Sequence, residues 1–201
     1  MEVTLSHPEW ITLSIDGKPH YGYDQEWYPE RWQKLAGCGP TTASVMMAYM
    51  EARVNGRVIT TQGQAEEKML ALWPYATPRM HGLYKTRWLR EGVAQYLADH
   101  DLPGRAEMIS VAPLRPFRPS LSALVSFIEE GLAADCPVGF LNLHNGGIER
   151  LYSWHWMPLA ALGGEGSAVT ATVFDEGKKI EFPLGEWLKK SKFGGGFVRV
   201  L

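Results

Sequence analysis

Helical patterns of apolar residues dominate the first two thirds of the chain. Between Thr41 and Arg53 apolar residues recur with no Gly or Pro, which predicts a largely buried helix with Pro40 near its first turn. Similar patterns predict three more helices, over residues 61–72, 86–100 and 120–134. Ser120 lies at the N-cap position of the last of these helices. A proline-rich connector over residues 111–119 precedes that helix.

Short extended runs replace the helical pattern after residue 136. Turns that contain glycine separate four predicted strands, over residues 137–143, 154–162, 168–174 and 178–182. Such a series is typical of an antiparallel meander. A short helix over 184–190 and a strand over 197–201 close the chain, and one earlier strand, 10–15, ends at the turn Asp16-Gly17.

The separation of helices from strands predicts an α+β fold rather than an alternating α/β fold. The 201 residues are expected to form a single domain, with a helical lobe over about 21–135 packed on an antiparallel β lobe over about 136–201. An aromatic segment, from Tyr21 to Trp32, is expected to be an ordered loop.

Charge and composition exclude several classes of function. The 20 Lys and Arg residues nearly balance 22 Asp and Glu residues, for a net charge of −2, so nucleic acid is not an expected partner. No apolar run approaches the ~20 residues that span a bilayer. The first residues lack a signal-peptide pattern, which predicts a cytoplasmic protein. Nothing in the sequence indicates the oligomeric state.

The two cysteines are too few for a disulfide framework, and their surroundings differ. Cys38 lies between Gly37 and Gly39 at the predicted start of a helix, where free N–H groups favour a thiolate and can bind an oxyanion. The glycines are expected to keep its sulfur open to a substrate. The alternative for Cys38 is a small buried apolar residue. Cys136, which precedes Pro137, is expected to be structural.

A thiol nucleophile needs a base, and His155 is the candidate among the six histidines. It stands at the start of a predicted strand with Trp154 and Trp156 beside it, where the tryptophans would restrict water. Asp175 ends the predicted partner strand, so it can lie next to the imidazole and orient it. The alternatives are an ordinary half-buried strand histidine and an aspartate that belongs to a turn.

The combination of Gly-Cys-Gly-Pro-Thr at a helix start, Trp-His-Trp at a strand start and Asp at the end of the paired strand resembles the papain-like cysteine peptidases. Within them it is most similar to the bacteriocin-processing peptidases, which cleave double-glycine leaders, and to their stand-alone bacterial relatives. The resemblance spans residues 21 to 182. It implies Cys38 as nucleophile, His155 as base, Asp175 as orienting residue and an upstream glutamine as oxyanion donor. Gln25 is preferred for that donor, with Gln33 as the alternative.

The function expected from these residues is hydrolysis of a peptide or amide bond through a thioester. No metal or cofactor is expected, because no cluster of His, Cys and carboxylate residues has ligand spacing. The alternative is a catalytically silent module of the same fold that binds an extended peptide or glycan in an aromatic cleft. A Cys38 sulfur within hydrogen-bond reach of the His155 ring would favour the enzyme.

Overall fold

The computed structural model of the protein describes residues 2–201, which form six α-helices and nine β-strands. The helices are α1 (Arg31–Ala36), α2 (Cys38–Asn55), α3 (Gln62–Leu72), α4 (Thr86–Asp99), α5 (Leu121–Ala133) and α6 (Leu184–Lys190). The strands are β1 (Glu2–Thr4), β2 (Thr12–Ile15), β3 (Lys18–Tyr21), β4 (Ala106–Val111), β5 (Val138–Asn142), β6 (His155–Gly163), β7 (Thr170–Asp175), β8 (Lys178–Pro183) and β9 (Gly195–Val200). Adjacent strands pair antiparallel, so the predicted α+β class is confirmed.

The predicted helices form where local capping signals allow them to begin and end. Thr61 and Ser120 each accept a backbone N–H at the start of a helix, α3 and α5 respectively. Helix α2 ends at Asn55 and is capped by Gly56, whose φ of 68° is a left-handed conformation that glycine adopts without steric cost. It begins at Cys38, which leaves Pro40 in its first turn. Within residues 2–201, no helix has both the length and the apolar character that crossing a membrane requires.

The main sheet has the strand order β4-β9-β5-β6-β7-β8. The predicted meander is confirmed, because β5, β6 and β7 each pair with the next strand along the chain. Strand β9 returns after α6 and inserts between β5 and β4. Strand β1 pairs with the C-terminal end of β6, and the hairpin of β2 and β3 forms a separate two-stranded sheet.

The first third of the chain differs from the sequence prediction in two short elements. The strand predicted over 10–15 begins only at Thr12, because Pro8–Ile11 form a 3-10 helix. The predicted loop between Tyr21 and Trp32 contains a 3-10 turn, Gln25–Trp27, and the beginning of α1. Elements of three to six residues are too short for an apolar period to appear in the sequence.

The main sheet also draws strands from the chain before residue 136, and one of them, β4, lies in the part expected to be helical. Strands β1 and β4 lie before residue 136 and pair with β6 and β9, far away in sequence. The expected boundary near residue 136 therefore marks a change in predominant structure rather than a complete separation of helices from strands.

Helices cover both faces of the central strands. A Cβ at Gly139 in β5 would point at Met46 of α2 and Leu89 of α4. The adjacent residue, Val138, contacts Gly131 of α5 from the opposite face. This arrangement buries β5 completely and sets the first turn of α2 near the end of the sheet where β6 begins.

Candidate active site

Cys38 is the first residue of α2 and its side chain is half-buried. The first N–H groups of a helix have no partner within that helix. The flanking glycines are required by packing, because a Cβ at Gly37 would lie 2.3 Å from the Gln33 carbonyl oxygen and one at Gly39 would lie 2.7 Å from Leu83 Cδ2. Protein neighbours therefore occupy the space that a side chain at either glycine would need.

His155 begins β6 and Asp175 ends β7, and the hairpin between these strands brings the two side chains together. Nε2 of His155 lies 2.7 Å from Oδ1 of Asp175. Both residues are buried, with exposed fractions of 8% and 5%. The pairing expected from the hairpin is therefore present, in surroundings where a charge-assisted hydrogen bond is strong.

A β-bulge sets the phase of this contact. The register between β6 and β7 shifts by one residue between Leu159 and Ala161, so β6 contains one residue more than β7 at this point. Because of this extra residue, Asp175 and His155 lie on the same face of the sheet. Without the extra residue, Asp175 would lie on the opposite face from His155, because side chains alternate between the two faces of a sheet.

The His155 ring keeps its proton to higher pH than a free imidazole does. Burial disfavours the charged ring, but the hydrogen bond to Asp175 and the proximity of Cys38, together with the charges of both groups, outweigh burial and hold the pKa of His155 well above its usual value. The side chains of Cys38 and His155 also line one small cavity. An imidazolium beside a thiol favours the thiolate form of that thiol.

Of the two candidate glutamines, Gln25 lies at the site and Gln33 does not. Gln25 lines the small cavity with Cys38, and its Nε2 donates to the Lys34 carbonyl oxygen at 2.9 Å. Since an amide nitrogen carries two N–H bonds, one donor is left for another partner. Gln33 caps the start of α1, where its Oε1 accepts the backbone N–H of Glu30 at 3.3 Å.

The small cavity is also lined by residues that were not predicted as site residues, among them Tyr23, Thr41 and Glu176. Glu176 is the first residue of the two-residue turn between β7 and β8, and its φ of 46° is uncommon for glutamate. Burial, followed by the charge of Asp175, raises the pKa of Glu176. The sequence Asp-Glu-Gly signals the turn, but it does not indicate that the glutamate faces the site.

A wider cleft of about 350 Å³ also opens at Cys38. Four of the side chains that line it are large, apolar and exposed, with exposed fractions of 47% for Trp32, 69% for Leu35, 83% for Met80 and 55% for Trp154. The φ of Trp154 is 57°, which is rare for a bulky aromatic residue. Trp156 differs, because it is buried and its Nε1 donates to the Leu83 carbonyl oxygen. Only one of the two tryptophans beside His155 is therefore enclosed.

The site also contains a possible set of metal ligands. His155, Asp175 and Glu176 each offer one donor atom, and these three atoms lie within 4.8 Å of one another. The sequence did not predict a metal site here. Because His155 Nε2 is already bonded to Asp175 at 2.7 Å, an ion held by the same two atoms would replace this hydrogen bond.

Cys136 has no exposed surface, as expected for a structural cysteine. Burial, the largest effect, raises the pKa of its thiol to about 12. The thiolate of Cys136 is therefore scarce at neutral pH, and the two cysteines of the chain are chemically distinct.

No protein-family model matches the chain, and no curated protein matches it. The fold and the site define a class on their own: an α+β protein in which a thiol, an imidazole and a carboxylate meet where helix α2 approaches the end of the sheet.

Proposed function

We propose that the protein is a papain-like thiol hydrolase that cleaves a peptide or amide bond through a thioester. The observation that carries the proposal is the buried 2.7 Å bond between His155 and Asp175, with Cys38 on the same cavity at the first residue of a helix. A thiol, a base and a group that orients the base are the three parts that such a nucleophile needs. The order of these residues and the helical and β parts of the fold also agree with the resemblance to papain-like peptidases.

In the first half of the reaction, the Cys38 thiolate attacks the carbonyl carbon of the substrate. A carbon–sulfur bond forms, and the carbonyl oxygen takes up negative charge. Asp175 holds Nε2 of His155, so Nδ1 is the ring nitrogen that gives its proton to the leaving nitrogen. The carbon–nitrogen bond then breaks, and an amine leaves a thioester on Cys38.

In the second half, a water molecule gives a proton to His155 and attacks the thioester carbon. The carbon–sulfur bond breaks, the carboxylic acid leaves, and the thiolate and the imidazolium are restored. Asp175 supports the imidazolium in both halves. No step requires an oxidant, a reductant or a cofactor.

The negative oxygen needs hydrogen-bond donors in both halves of the reaction. The first backbone N–H groups of α2 supply one set. Gln25 supplies another, because one N–H bond of its amide is used by Lys34 and the second is left over. Gln25 is therefore our choice over Gln33 for the oxyanion donor.

Selective alkylation by iodoacetamide, followed by peptide mass spectrometry, tests the proposal. An ordinary thiol with a pKa of ~8.5 has ~10³ times more thiolate at neutral pH than one with the pKa of about 12 of Cys136. We expect Cys38 to react at least that much faster than Cys136. We also expect His155→Ala to slow the Cys38 reaction, whereas His144→Ala, which alters a histidine that accepts a turn N–H, leaves it unchanged.

Equal alkylation of the two cysteines, or a Cys38 rate that His155→Ala does not change, would contradict the proposed ion pair. A peptide vinyl sulfone tests whether Cys38 acts as a nucleophile toward a bound peptide. The probe should label the wild-type protein and not the Cys38→Ala variant. A peptide-library screen with the wild-type protein identifies the bond that is cleaved.

The second candidate function is a catalytically silent binding module for an extended peptide or glycan. The observation that favours it is the cleft at Cys38, whose exposed Trp32, Leu35 and Trp154 form an apolar surface. Such a surface can bind a ligand without any reaction. Binding of library peptides by both wild-type and Cys38→Ala protein, with no cleavage and no probe labelling, would favour this candidate over the hydrolase.

A further inference from the structure

Among residues 2–201, four buried side-chain oxygen atoms have no hydrogen-bond partner: Tyr23 Oη, Gln25 Oε1, Thr41 Oγ1 and Asp175 Oδ2. All four residues line the small cavity beside Cys38 and His155. Buried polar atoms without partners cost stability and are uncommon in native proteins. Because all four residues surround one cavity, we expect their unpaired oxygen atoms to share a ligand there.

The size and chemistry of the cavity limit what this ligand can be. The cavity offers about 10 Å³ to a water-sized sphere, which is close to the ~10–15 Å³ that one buried water molecule needs. Gln25 Oε1 and Asp175 Oδ2 are acceptors, since the Gln25 amide nitrogen faces Lys34 and Asp175 is bonded to His155. The hydroxyls of Tyr23 and Thr41 can donate.

Two acceptors and two donors match the capacity of one water molecule, which donates two hydrogen bonds and accepts two. A cation would accept lone pairs from all four oxygens and leave both hydroxyl protons without an acceptor. We infer that this cavity binds one water molecule, and that Tyr23 and Thr41 act through it as positioning residues for Asp175 and Gln25. The water site stands by itself, whereas the positioning role rests on the proposed hydrolase function.

The water would remove an ambiguity that carboxylates and amides share. Each of these groups can rotate by half a turn and exchange its two ends at little steric cost. A bond to Oδ2 of Asp175 keeps Oδ1 on His155, and a bond to Oε1 of Gln25 keeps the amide nitrogen in place beside Lys34. The second N–H bond of the Gln25 amide, which Lys34 does not use, is then held in one orientation, as an oxyanion donor requires.

Crystal structures of the Cys38→Ala variant at atomic resolution test the water site without reference to catalysis. We expect one density peak within hydrogen-bond distance of Asp175 Oδ2 and Gln25 Oε1. Absence of a peak overturns the inference. Crystals grown in rubidium chloride provide the other arm, because anomalous signal at this position would identify a monovalent cation and exclude the water.

Alkylation of Cys38 by iodoacetamide tests the positioning role. Loss of one hydrogen bond worth ~1 kcal/mol corresponds to a factor of about five, so we expect Tyr23→Phe and Thr41→Val each to slow the reaction by about that factor. Thr41→Ser retains the hydroxyl and should restore the wild-type rate, which a purely structural role of the methyl group would not allow. Tyr96→Phe is the matched control, since it removes another buried hydroxyl, bonded to Glu51, outside this cavity.

Wild-type rates in both Tyr23→Phe and Thr41→Val would overturn the positioning role. Slow reaction in Thr41→Ser as well as in Thr41→Val would also overturn it. A density peak in a protein that neither cleaves peptides nor reacts selectively at Cys38 would leave the water site intact and contradict the hydrolase, so the two failures are distinguishable.

Discussion

Asp175→Asn removes one negative charge from the buried pair with His155 and keeps the shape of the side chain. Both residues are less than 10% exposed, at 8% and 5%, so solvent screens the interaction little. A hydrogen bond to a charged group is worth ~1.5–3 kcal/mol. Because one pKa unit corresponds to ~1.4 kcal/mol, we expect the pKa of His155 to fall by ~1–2 units in this variant.

The sign of the pH dependence follows from the raised pKa of His155. A group with a raised folded-state pKa stabilises the native state fully below its unfolded value, here 6.5, and the contribution is lost as the pH rises through the folded value. The free energy of unfolding of Asp175→Asn should therefore fall furthest below that of the wild type on the acid side of pH 6.5. The difference should shrink at higher pH.

NMR titration of the histidine rings measures the pKa directly, with the His155 signal assigned by its loss in His155→Gln. Urea unfolding at several pH values measures the stability. Asp99→Asn is the control, because its carboxylate bonds to Tyr75 and Gln95 at an exposed site. An unchanged pKa of His155 in Asp175→Asn would refute this reasoning. A variant that unfolds would show that the pair with His155 is needed for folding.

Three further predictions concern packing, the oxyanion donor and the metal. Gly37→Ala should lower the free energy of unfolding by ~1–3 kcal/mol, because the new Cβ would lie 2.3 Å from the Gln33 carbonyl oxygen. Gly63→Ala, whose Cβ would have nothing within 4 Å, should raise the free energy of unfolding by ~0.5–1 kcal/mol. Urea titrations measure both. Equal effects would show that the close contact is relieved at no cost. Gln25→Ala should slow cleavage ~10²–10³-fold in steady-state assays. Gln33→Ala should instead lower the free energy of unfolding by ~0.5–2 kcal/mol, because it removes the cap of α1. The reverse pattern would make Gln33 the oxyanion donor. EDTA should leave cleavage unchanged, and inhibition that zinc reverses would instead assign the site to a metal.

The residues proposed as nucleophile and base could be located from the sequence because their signals are local. Glycine and proline around Cys38 mark a helix start, and the apolar run after His155 marks a strand start. Asp175 required one further step, the folding of one hairpin. In each case a few neighbouring residues contained the information.

The choice between Gln25 and Gln33 shows where such signals end. Sequence spacing permitted both residues, and the aromatic context of Gln25 favoured it only weakly. The fold separates them, because Gln33 is used as a helix cap while a short turn places Gln25 on the cavity with Cys38. The helix that Gln33 caps, Arg31–Ala36, was itself too short to predict.

Local sequence patterns are enough to predict the α+β class, the principal helices, the meander and the difference between Cys38 and Cys136, since periodicity and turn chemistry act over a few residues. In contrast, the fold determines that His155 and Asp175 lie on the same face of the sheet, because this depends on a single extra residue in β6. It also brings together, around one cavity, four residues whose buried oxygen atoms have no hydrogen-bond partner. These features arise from contacts between distant segments, which no local pattern in the chain encodes.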